Sequence, residues 1–220
     1  MQNIPVSTDL GQEVRRAFVA QEGKKFLFID YSQQELRLLA HLSKETNLVK
    51  AFNENIDIHA LTASRLLKKK IEDIDKHERR MGKTVNFGIV YGISSFGLSD
   101  RLKIDSATAQ KYIDSFFDTY PKVKLYFDNL IKNAKKEGYV TTMLVRRKNT
   151  SWLNSPVYLV RKATEREIIN FPLQGSAADM IKTAMIRAQE IIERDYSDFA
   201  QMVLQIHDEL DPDNQITPET

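Results

Sequence analysis

Two short apolar segments, one near each end of the chain, have the pattern of β-strands. Residues 26–29, Phe-Leu-Phe-Ile, are aromatic and branched and stop at the charged Asp30, which is typical of a buried strand. Residues 199–206 alternate in the manner of a strand that presents one face to a core. Residues 139–145 suit a further strand or a hairpin arm. We therefore predict a small sheet to which both ends of the chain contribute.

Between these segments, apolar residues recur at helical spacing over most of the chain. Asp57 and Asp75 are candidate N-caps of two helices, and Asp105 or Ser106 begins another. The predicted helices span residues 33–44, 47–52, 59–67, 75–90, 105–121, 123–138 and 175–193. Residues 211–220 are polar, contain two prolines and are predicted to be disordered. The expected fold class is α+β, a small antiparallel sheet with a large inserted helical block, helix-rich overall.

The composition is that of an ordinary globular chain. Of the 220 residues, 42% are hydrophobic and 28% charged, and there is no cysteine for a disulfide framework or a thiolate metal site. No apolar run approaches the length of a membrane span, and residues 1–5 lack the pattern of a signal peptide, so we expect a cytoplasmic protein. A net charge of +2 does not by itself predict nucleic-acid binding. Basic clusters at residues 68–70, 79–83 and 146–148 are, taken singly, more typical of solvated faces.

The first segment with candidate chemistry is residues 30–37, Asp-Tyr-Ser-Gln-Gln-Glu-Leu-Arg. A carboxylate at the end of a buried strand and before a helix is well placed to hold a hard cation at a cleft. The alternative is that Asp30 caps the following helix or ends the strand as a turn residue. The residues alone support the two interpretations equally.

The second segment is residues 79–92, in which two cations and then two aromatic rings recur at intervals of four residues. These four residues, here called the stripe, are Arg79, Lys83, Phe87 and Tyr91. On one helix face this order matches a nucleoside triphosphate, with a polyanion at one end and a flat base at the other. The alternative is an amphipathic helix whose rings pack in the core and whose cations face solvent. Gly82 and Gly88, which are costly inside a helix, indicate that something approaches the backbone closely.

The third segment is His207-Asp208-Glu209, which follows the second predicted strand. Two adjacent carboxylates repel each other, so a position at a strand end is costly unless a cation or a donor compensates. With Asp30 they would form an oxygen-only site suited to Mg²⁺. The alternative is a charged turn.

In order and combination, the three segments resemble motifs A, B and C of the family A DNA polymerases, the bacterial DNA polymerase I type. Residues 57–59, Asp-Ile-His, and 174–179, Gln-Gly-Ser-Ala-Ala-Asp, are also similar to that family, and the resemblance covers nearly the whole chain. It implies a small palm sheet with an inserted helical fingers subdomain. The implied domains are a first palm segment at residues 1–43, fingers at 44–168 with the motif B helix at about 75–91, a second palm segment at 169–210 and a tail at 211–220.

The resemblance implies DNA synthesis by two-metal-ion nucleotidyl transfer, with primer-template DNA and dNTPs as partners. Asp30 and Asp208 would hold two Mg²⁺ ions, with Glu209 as an accessory carboxylate. The stripe and His59 would bind the nucleotide: Arg79, Lys83 and His59 at the phosphates and Tyr91 beside the templating pair. Other implied nucleotide contacts are Gln33, Glu35 as a steric gate against ribose and Phe87 as a selector for the 3′-hydroxyl. Implied DNA contacts are Asn3, Gln174 and His207.

The chain departs from the family pattern in two ways. Gln34 stands where the family usually has an apolar residue, which predicts looser packing behind Glu35. The match also begins after the thumb and stops just past motif C, which indicates a palm and fingers segment truncated at both ends. We expect the isolated chain to be an incomplete and inactive polymerase. It is either a fragment of a longer enzyme or one part of a pair in which a second polypeptide supplies the missing thumb and C-terminal palm, and the sequence leaves both open. Two alternatives stay open, a catalytically silent nucleic-acid-binding remnant and a helical domain with inert motifs.

Overall fold

The computed structural model of the protein describes residues 4–5 and 8–205. The chain divides into two compact units. One, here called the helical unit, is Glu35–Arg187; the other, the terminal unit, is formed by Met1–Gln34 and Ala188–Thr220. No helix within the described residues is long and apolar enough to cross a bilayer.

The described residues are mostly α-helical, as the periodicity predicts. The helices are α1 (Asp9–Arg16), α2 (Gln34–Ser43), α3 (Thr46–Asn53), α4 (Ile58–Leu67), α5 (Lys76–Val90), α6 (Ser95–Leu102), α7 (Ser106–Thr119), α8 (Pro121–Glu137) and α9 (Tyr158–Asp195). Short 3₁₀ turns lie at Ile71–Asp73 and Ser151–Asn154. Two helices, α1 and α6, are absent from the sequence prediction.

Side-chain caps set the starts of several helices. Asp57 accepts hydrogen bonds from the backbone N–H groups of His59 and Ala60 at the start of α4. Asp75 forms a capping box with Glu78 at the start of α5, and Asp105 caps α7. The caps at Asp57 and Asp75 are confirmed, and of the two residues predicted to begin α7, Asp105 is the cap and Ser106 the first helical residue. A cap involves only neighbouring residues, so its signal is complete in a short stretch of sequence.

Helices α4 and α5 form the centre of the helical unit. Their buried faces include Ile58 and Ala63 from α4, and Val85, Ile89 and Val90 from α5. The two helices come unusually close at Gly82. A Cβ atom at this position would lie 2.2 Å from the carbonyl oxygen of His59, a distance that no side chain tolerates. Glycine at this position is therefore needed for the α4–α5 contact.

Helix α9 is much longer than the prediction of residues 175–193. It has 38 residues and passes through Pro172 without ending. Proline lacks the N–H that would bond to the carbonyl four residues earlier and is therefore expected to break a helix. Here Ile168, Leu173 and Ala177 are buried on either side of the proline, so packing maintains the helix across a locally unfavourable residue.

The sheet within the described residues is one antiparallel hairpin in the middle of the chain. Strand β1 (Tyr139–Thr141) pairs with β2 (Arg147–Asn149), with Val140 opposite Lys148. In the loop between them, Val145 has a left-handed backbone with φ of 65°. A helix-rich fold with a small antiparallel sheet is confirmed, and the hairpin agrees with the strand predicted at residues 139–145.

The strands predicted at residues 26–29 and 199–206 are wrong for the described residues. Residues 24–31 and 200–205 have no regular secondary structure, and their apolar side chains are largely exposed, with Leu27 at 83% and Ile29 at 87%. An apolar or alternating pattern indicates a segment that suits a pleated, half-buried surface. It does not supply the hydrogen-bonded neighbour that a strand requires, and the described residues contain none for either segment.

Candidate functional site

The stripe is half-buried and runs along α5 to Tyr91, the residue that follows the last turn of the helix. The rings of Phe87 and Tyr91 are stacked, with centroids 6.2 Å apart and planes at 25°. The Nζ atom of Lys83 lies 5.9 Å from the centroid of the Phe87 ring. All four stripe residues are partly exposed. Tyr91 packs against the hydrophobic core, as the amphipathic-helix alternative expects, but both rings keep an exposed part that a flat ligand can contact.

Arg79, the first cation of the stripe, is held by the residue that caps α4. Its Nε donates to Oδ2 of Asp57 at 2.6 Å, while Oδ1 of the same carboxylate caps the helix. Burial alone would raise the pKa of Asp57, but the hydrogen bonds from Arg79 and from the N–H of Ala60 outweigh it and hold the pKa below its usual value. Asp57 is thus ionised at neutral pH and fixes the guanidinium at one end of the stripe.

His59 lies beside the stripe, on α4. Its ring is tilted at 41° to that of Phe87, with centroids 5.6 Å apart, and the residue is 3% exposed. Burial lowers its pKa to about 4; the charge of Asp57 opposes this shift, and those of Arg79 and Lys83 add to it. The imidazole is therefore neutral at physiological pH. It can bind an anion only as a hydrogen-bond donor, not as a third cation.

The two glycines of α5 are both explained by contacts within the protein. At Gly82 the close neighbour is the α4 backbone. A Cβ atom on Gly88 would lie 2.9 Å from Cγ2 of Ile93, just beyond the end of the helix. The predicted close approach to the backbone is present at both positions. Its cause is the packing of α4 at Gly82 and of the Ile93 side chain at Gly88, and the glycines therefore carry no information about a ligand.

The other candidate residues are dispersed over the two units. Glu35 is in the first turn of α2 and only 4% exposed, and Gln174 is exposed on α9. Asp30 is exposed within residues 24–31, which have no regular secondary structure. Gln33 has a left-handed backbone with φ of 54°. Four candidates lie outside the described residues: Asn3, His207, Asp208 and Glu209. The structure thus brings together the stripe, Asp57 and His59, and the roles predicted for the remainder stay predictions.

Comparison with known proteins places this geometry in a family. The sequence pattern of DNA polymerase family A matches residues 1–215. The chain belongs to DNA polymerase family A. It is 44% identical over 221 residues to DNA polymerase I of Chloroflexus aurantiacus, a match that covers 99% of this chain and 23% of the relative. It is 46% identical over 210 residues to the thermostable DNA polymerase I of Thermus thermophilus, covering 96% of this chain and 25% of that protein.

A solved structure supports the same assignment. The POL domain of Pol1 from M. smegmatis, in a complex with DNA primer-template and dNTP, superposes with a TM-score of 0.85 at 39% identity. The match covers 94% of this chain and 37% of that chain. At this identity the likeness shows common ancestry as well as a common fold. The chain spans roughly a quarter of the length of the curated family A relatives that it matches.

The metal site implied by the family resemblance involves residues that the structure does not describe. Asp30 is described, but its predicted partner Asp208 is not. Among residues 4–5 and 8–205, no group of three or more His, Cys, Asp and Glu side chains is arranged to hold a metal ion. The pairing of Asp30 with Asp208 therefore stays a prediction.

The family-like segment at residues 174–179 is held by the β1–β2 hairpin. Arg146 donates to the carbonyl of Gly175 at 2.8 Å and pairs with Asp179 at 3.0 Å, and Thr142 donates to Asp179 at 2.7 Å. A Cβ atom on Gly175 would lie 2.5 Å from Cγ2 of Thr142. The basic cluster at residues 146–148 is thus partly used within the fold, since Lys148 also pairs with Glu167.

Two residues of the site are missed by reasoning from the sequence. Asp57 is predicted as a cap, but not as the partner of Arg79. Asn86, next to Phe87, has no predicted role, although it is fully buried and contacts His59. The available signal for Asn86 is a polar residue between buried positions on an apolar helix face, with Val85 before it and Ile89 one turn later.

Proposed function

We propose that this chain provides the nucleotide-binding and catalytic portion of a DNA-directed DNA polymerase, which adds dNTPs to a primer 3′-hydroxyl under the direction of a template. The observation that carries the proposal is the stripe: two cations followed by two stacked rings, all partly exposed along one helix of a family A chain. The M. smegmatis relative, solved with DNA primer-template and dNTP, supports DNA and dNTPs as the partners.

Each member of the stripe has a chemical role in this proposal. Arg79, oriented by Asp57, and Lys83 hold the triphosphate through charge-assisted hydrogen bonds. Phe87 and Tyr91 provide flat surface for the sugar and the base, where stacking is tolerant of base identity. His59 adds a neutral donor beside the two cations. The site therefore neutralises the triphosphate with two side chains and does not gather three positive charges in one place.

We further propose that Asp30 and Asp208 hold two Mg²⁺ ions, with Glu209 as an accessory carboxylate. Carboxylate oxygens are the ligands that Mg²⁺ prefers, and the exposed position of Asp30 is compatible with this role. Bound Mg²⁺ supplies a lowered pKa for the attacking hydroxyl and neutralises charge on the triphosphate. The residues of this chain contribute the ligands and, through the stripe, the orientation of the nucleotide.

The remaining roles follow the family pattern. We assign residues 1–43 and 169–210 to the palm and residues 44–168 to the fingers, with a tail at 211–220. Glu35 excludes the ribose 2′-hydroxyl by crowding, which selects by repulsion of the wrong substrate. Nucleotide or DNA contacts are assigned to Gln33, Asn3, Gln174 and His207.

A chimeric enzyme tests this function. Residues 1–210 of this chain would replace the matching segment of the Thermus thermophilus polymerase, and primer extension would be measured with Mg²⁺ and each dNTP. The expected result is extension that follows the template. A folded chimera that binds primer-template in a salt-dependent manner without extending it would support the silent binding remnant instead. If the chimera neither binds nor extends the primer-template, only the helical domain with inert motifs remains.

A further inference from the structure

A buried polar network joins α4 to α5 directly behind the stripe. Asn86 is 0% exposed, and Thr62 is buried beside it. The hydroxyl of Thr62 donates to Oδ1 of Asn86 at 2.8 Å, and Nδ2 of Asn86 lies 3.4 Å from the carbonyl oxygen of Ile58 and 3.0 Å from Nδ1 of His59. The amide thus contacts three groups of α4: a hydroxyl, a backbone carbonyl and a ring nitrogen.

The orientation of the amide follows from the chemistry of its neighbours. The carbonyl of Ile58 can only accept a hydrogen bond, so the amide nitrogen, which donates, must face it. The same nitrogen then donates to Nδ1 of His59, which must be unprotonated to accept. The proton of the neutral ring is therefore on Nε2, the nitrogen that Asn86 does not contact.

Burial is the main cause that lowers the pKa of His59 and favours its neutral form. Asp57, at the N-terminus of α4, opposes this effect, but its carboxylate is already paired with Arg79. Arg79 and Lys83, both on α5, add to the effect of burial, because they disfavour a further positive charge. On both helices packed around the ring, these are the charged groups that act on it.

We propose that Asn86 is a positioning residue that keeps His59 as a neutral ring protonated on Nε2, so that the ring beside Phe87 is a hydrogen-bond donor and not a third cation. The proposal rests on the proposed function only in naming the acceptor, an oxygen of a nucleoside triphosphate. A donor of this kind contacts the anion without a change of charge over the physiological pH range. It also avoids repulsion with Arg79 and Lys83 when no nucleotide is bound.

NMR of the unchanged chain tests the proposal without any nucleotide. The four histidines would be labelled with ¹⁵N, and the His59 signals assigned by their loss in His59→Gln. The expected result at about pH 7 is one neutral tautomer protonated on Nε2, with no titration down to about pH 5. A mixture of tautomers, a proton on Nδ1, or titration with an ordinary histidine pKa would overturn the proposal.

Two variants test the role of Asn86 itself. In Asn86→Asp, a carboxylate faces Nδ1, so the ring should become protonated there and titrate above its present pKa. In Thr62→Val, the matched control, the donor to Oδ1 is lost but the contact with Nδ1 is retained, and the tautomer should not change. An unaltered ring in a folded Asn86→Asp chain would contradict the proposal. If that variant does not fold, the measurement on the unchanged chain decides.

Binding of inorganic tripolyphosphate separates this inference from the proposed function. Tripolyphosphate itself loses a proton between about pH 6 and pH 8, so the pH dependence of its affinity for the unchanged chain is compared with that for His59→Phe. The two should change with pH alike, since the ring keeps one charge state over this range. His59→Phe, which keeps a flat ring but has no N–H donor, should weaken binding by up to about tenfold, the scale of one hydrogen bond. If the tautomer is as expected but His59→Phe binds equally well, the nucleotide site is wrong and the positioning role of Asn86 stands.

Discussion

Asp57 performs two tasks with one carboxylate, and its replacement by alanine should cost more stability than the loss of an ordinary cap. Oδ1 accepts from the backbone N–H groups of His59 and Ala60, at 2.9 and 3.1 Å, and Oδ2 accepts from Arg79 at 2.6 Å. Loss of an aspartate N-cap costs about 0.5–2 kcal/mol. A partly exposed ion pair contributes about 0.2–1 kcal/mol after solvent screening. We therefore expect Asp57→Ala to lower the free energy of unfolding by about 1–3 kcal/mol.

Matched variants separate the two contributions. Asp57→Asn retains a good capping side chain but removes the charge that pairs with Arg79. It should therefore lose only the ion-pair contribution to the free energy of unfolding, the smaller of the two. Asp105→Ala removes the cap of α7 and should show the effect of a cap without an ion pair. The Asp105 carboxylate accepts from the N–H and the hydroxyl of Thr108, and among the described residues it forms no ion pair. The assay is urea unfolding followed by circular dichroism. If Asp57→Ala and Asp57→Asn lower the free energy of unfolding by the same amount, the capping argument is refuted.

The stability lost in Asp57→Ala should depend on pH in a direction that the pKa of Asp57 determines. The pKa of Asp57 is lowered in the folded chain, so the carboxylate contributes stability above its unfolded pKa of about 3.9, and this contribution is lost as the pH falls through the folded value. The difference in unfolding free energy between Asp57→Ala and the unchanged chain should therefore shrink as the pH is lowered from about 6 to about 3. A difference that grows at low pH would contradict the assigned direction.

Three further substitutions have expected outcomes. Val145→Gly should raise the free energy of unfolding by about 1 kcal/mol, because a branched side chain is strained at a φ of 65°, whereas Leu144→Gly in the same loop should give no such gain. Gln34→Leu should also raise the free energy of unfolding, by about 1–3 kcal/mol, because both polar atoms of the amide are buried without a hydrogen-bond partner among the described residues. A lower free energy of unfolding would show that the amide is hydrogen-bonded. In the chimeric polymerase, Glu35→Ala should lower the ratio of kcat/KM with dNTP to kcat/KM with rNTP. An unchanged ratio would show that Glu35 has only a structural role.

Local signals in the sequence predict the helices well, and non-local structure is where they fail. The caps of α4, α5 and α7 are set by neighbouring residues, so Asp57 and Asp75 are identified correctly and Asp105 is one of the two residues predicted for α7. The length of α9 is underestimated because Pro172 is a local breaker that tertiary packing overrides. The strand predicted at residues 26–29 fails because pairing depends on a distant segment.

The candidate site shows the same division. The stripe is visible in the sequence because residues four apart share a helix face. The pairing of Arg79 with Asp57 spans 22 positions, and that of Asn86 with His59 spans 27, so neither is contained in a local pattern. The neutral state of His59 likewise depends on burial by two packed helices. Sequence spacing therefore predicts which side chains face a ligand, and the fold determines their charge and orientation.

The proposed nucleotide site is tested most directly by the contribution of Lys83 to dNTP use. In the chimeric polymerase, kcat/KM for a matched dNTP would be compared between the unchanged segment, Lys83→Ala and Lys111→Ala, the last being an exposed lysine on α7. A charge-assisted contact to the triphosphate predicts a loss of about 1.5–3 kcal/mol for Lys83→Ala, roughly 10- to 150-fold, and no change for Lys111→Ala. An unchanged kcat/KM in Lys83→Ala would contradict the assignment of the stripe to nucleotide binding.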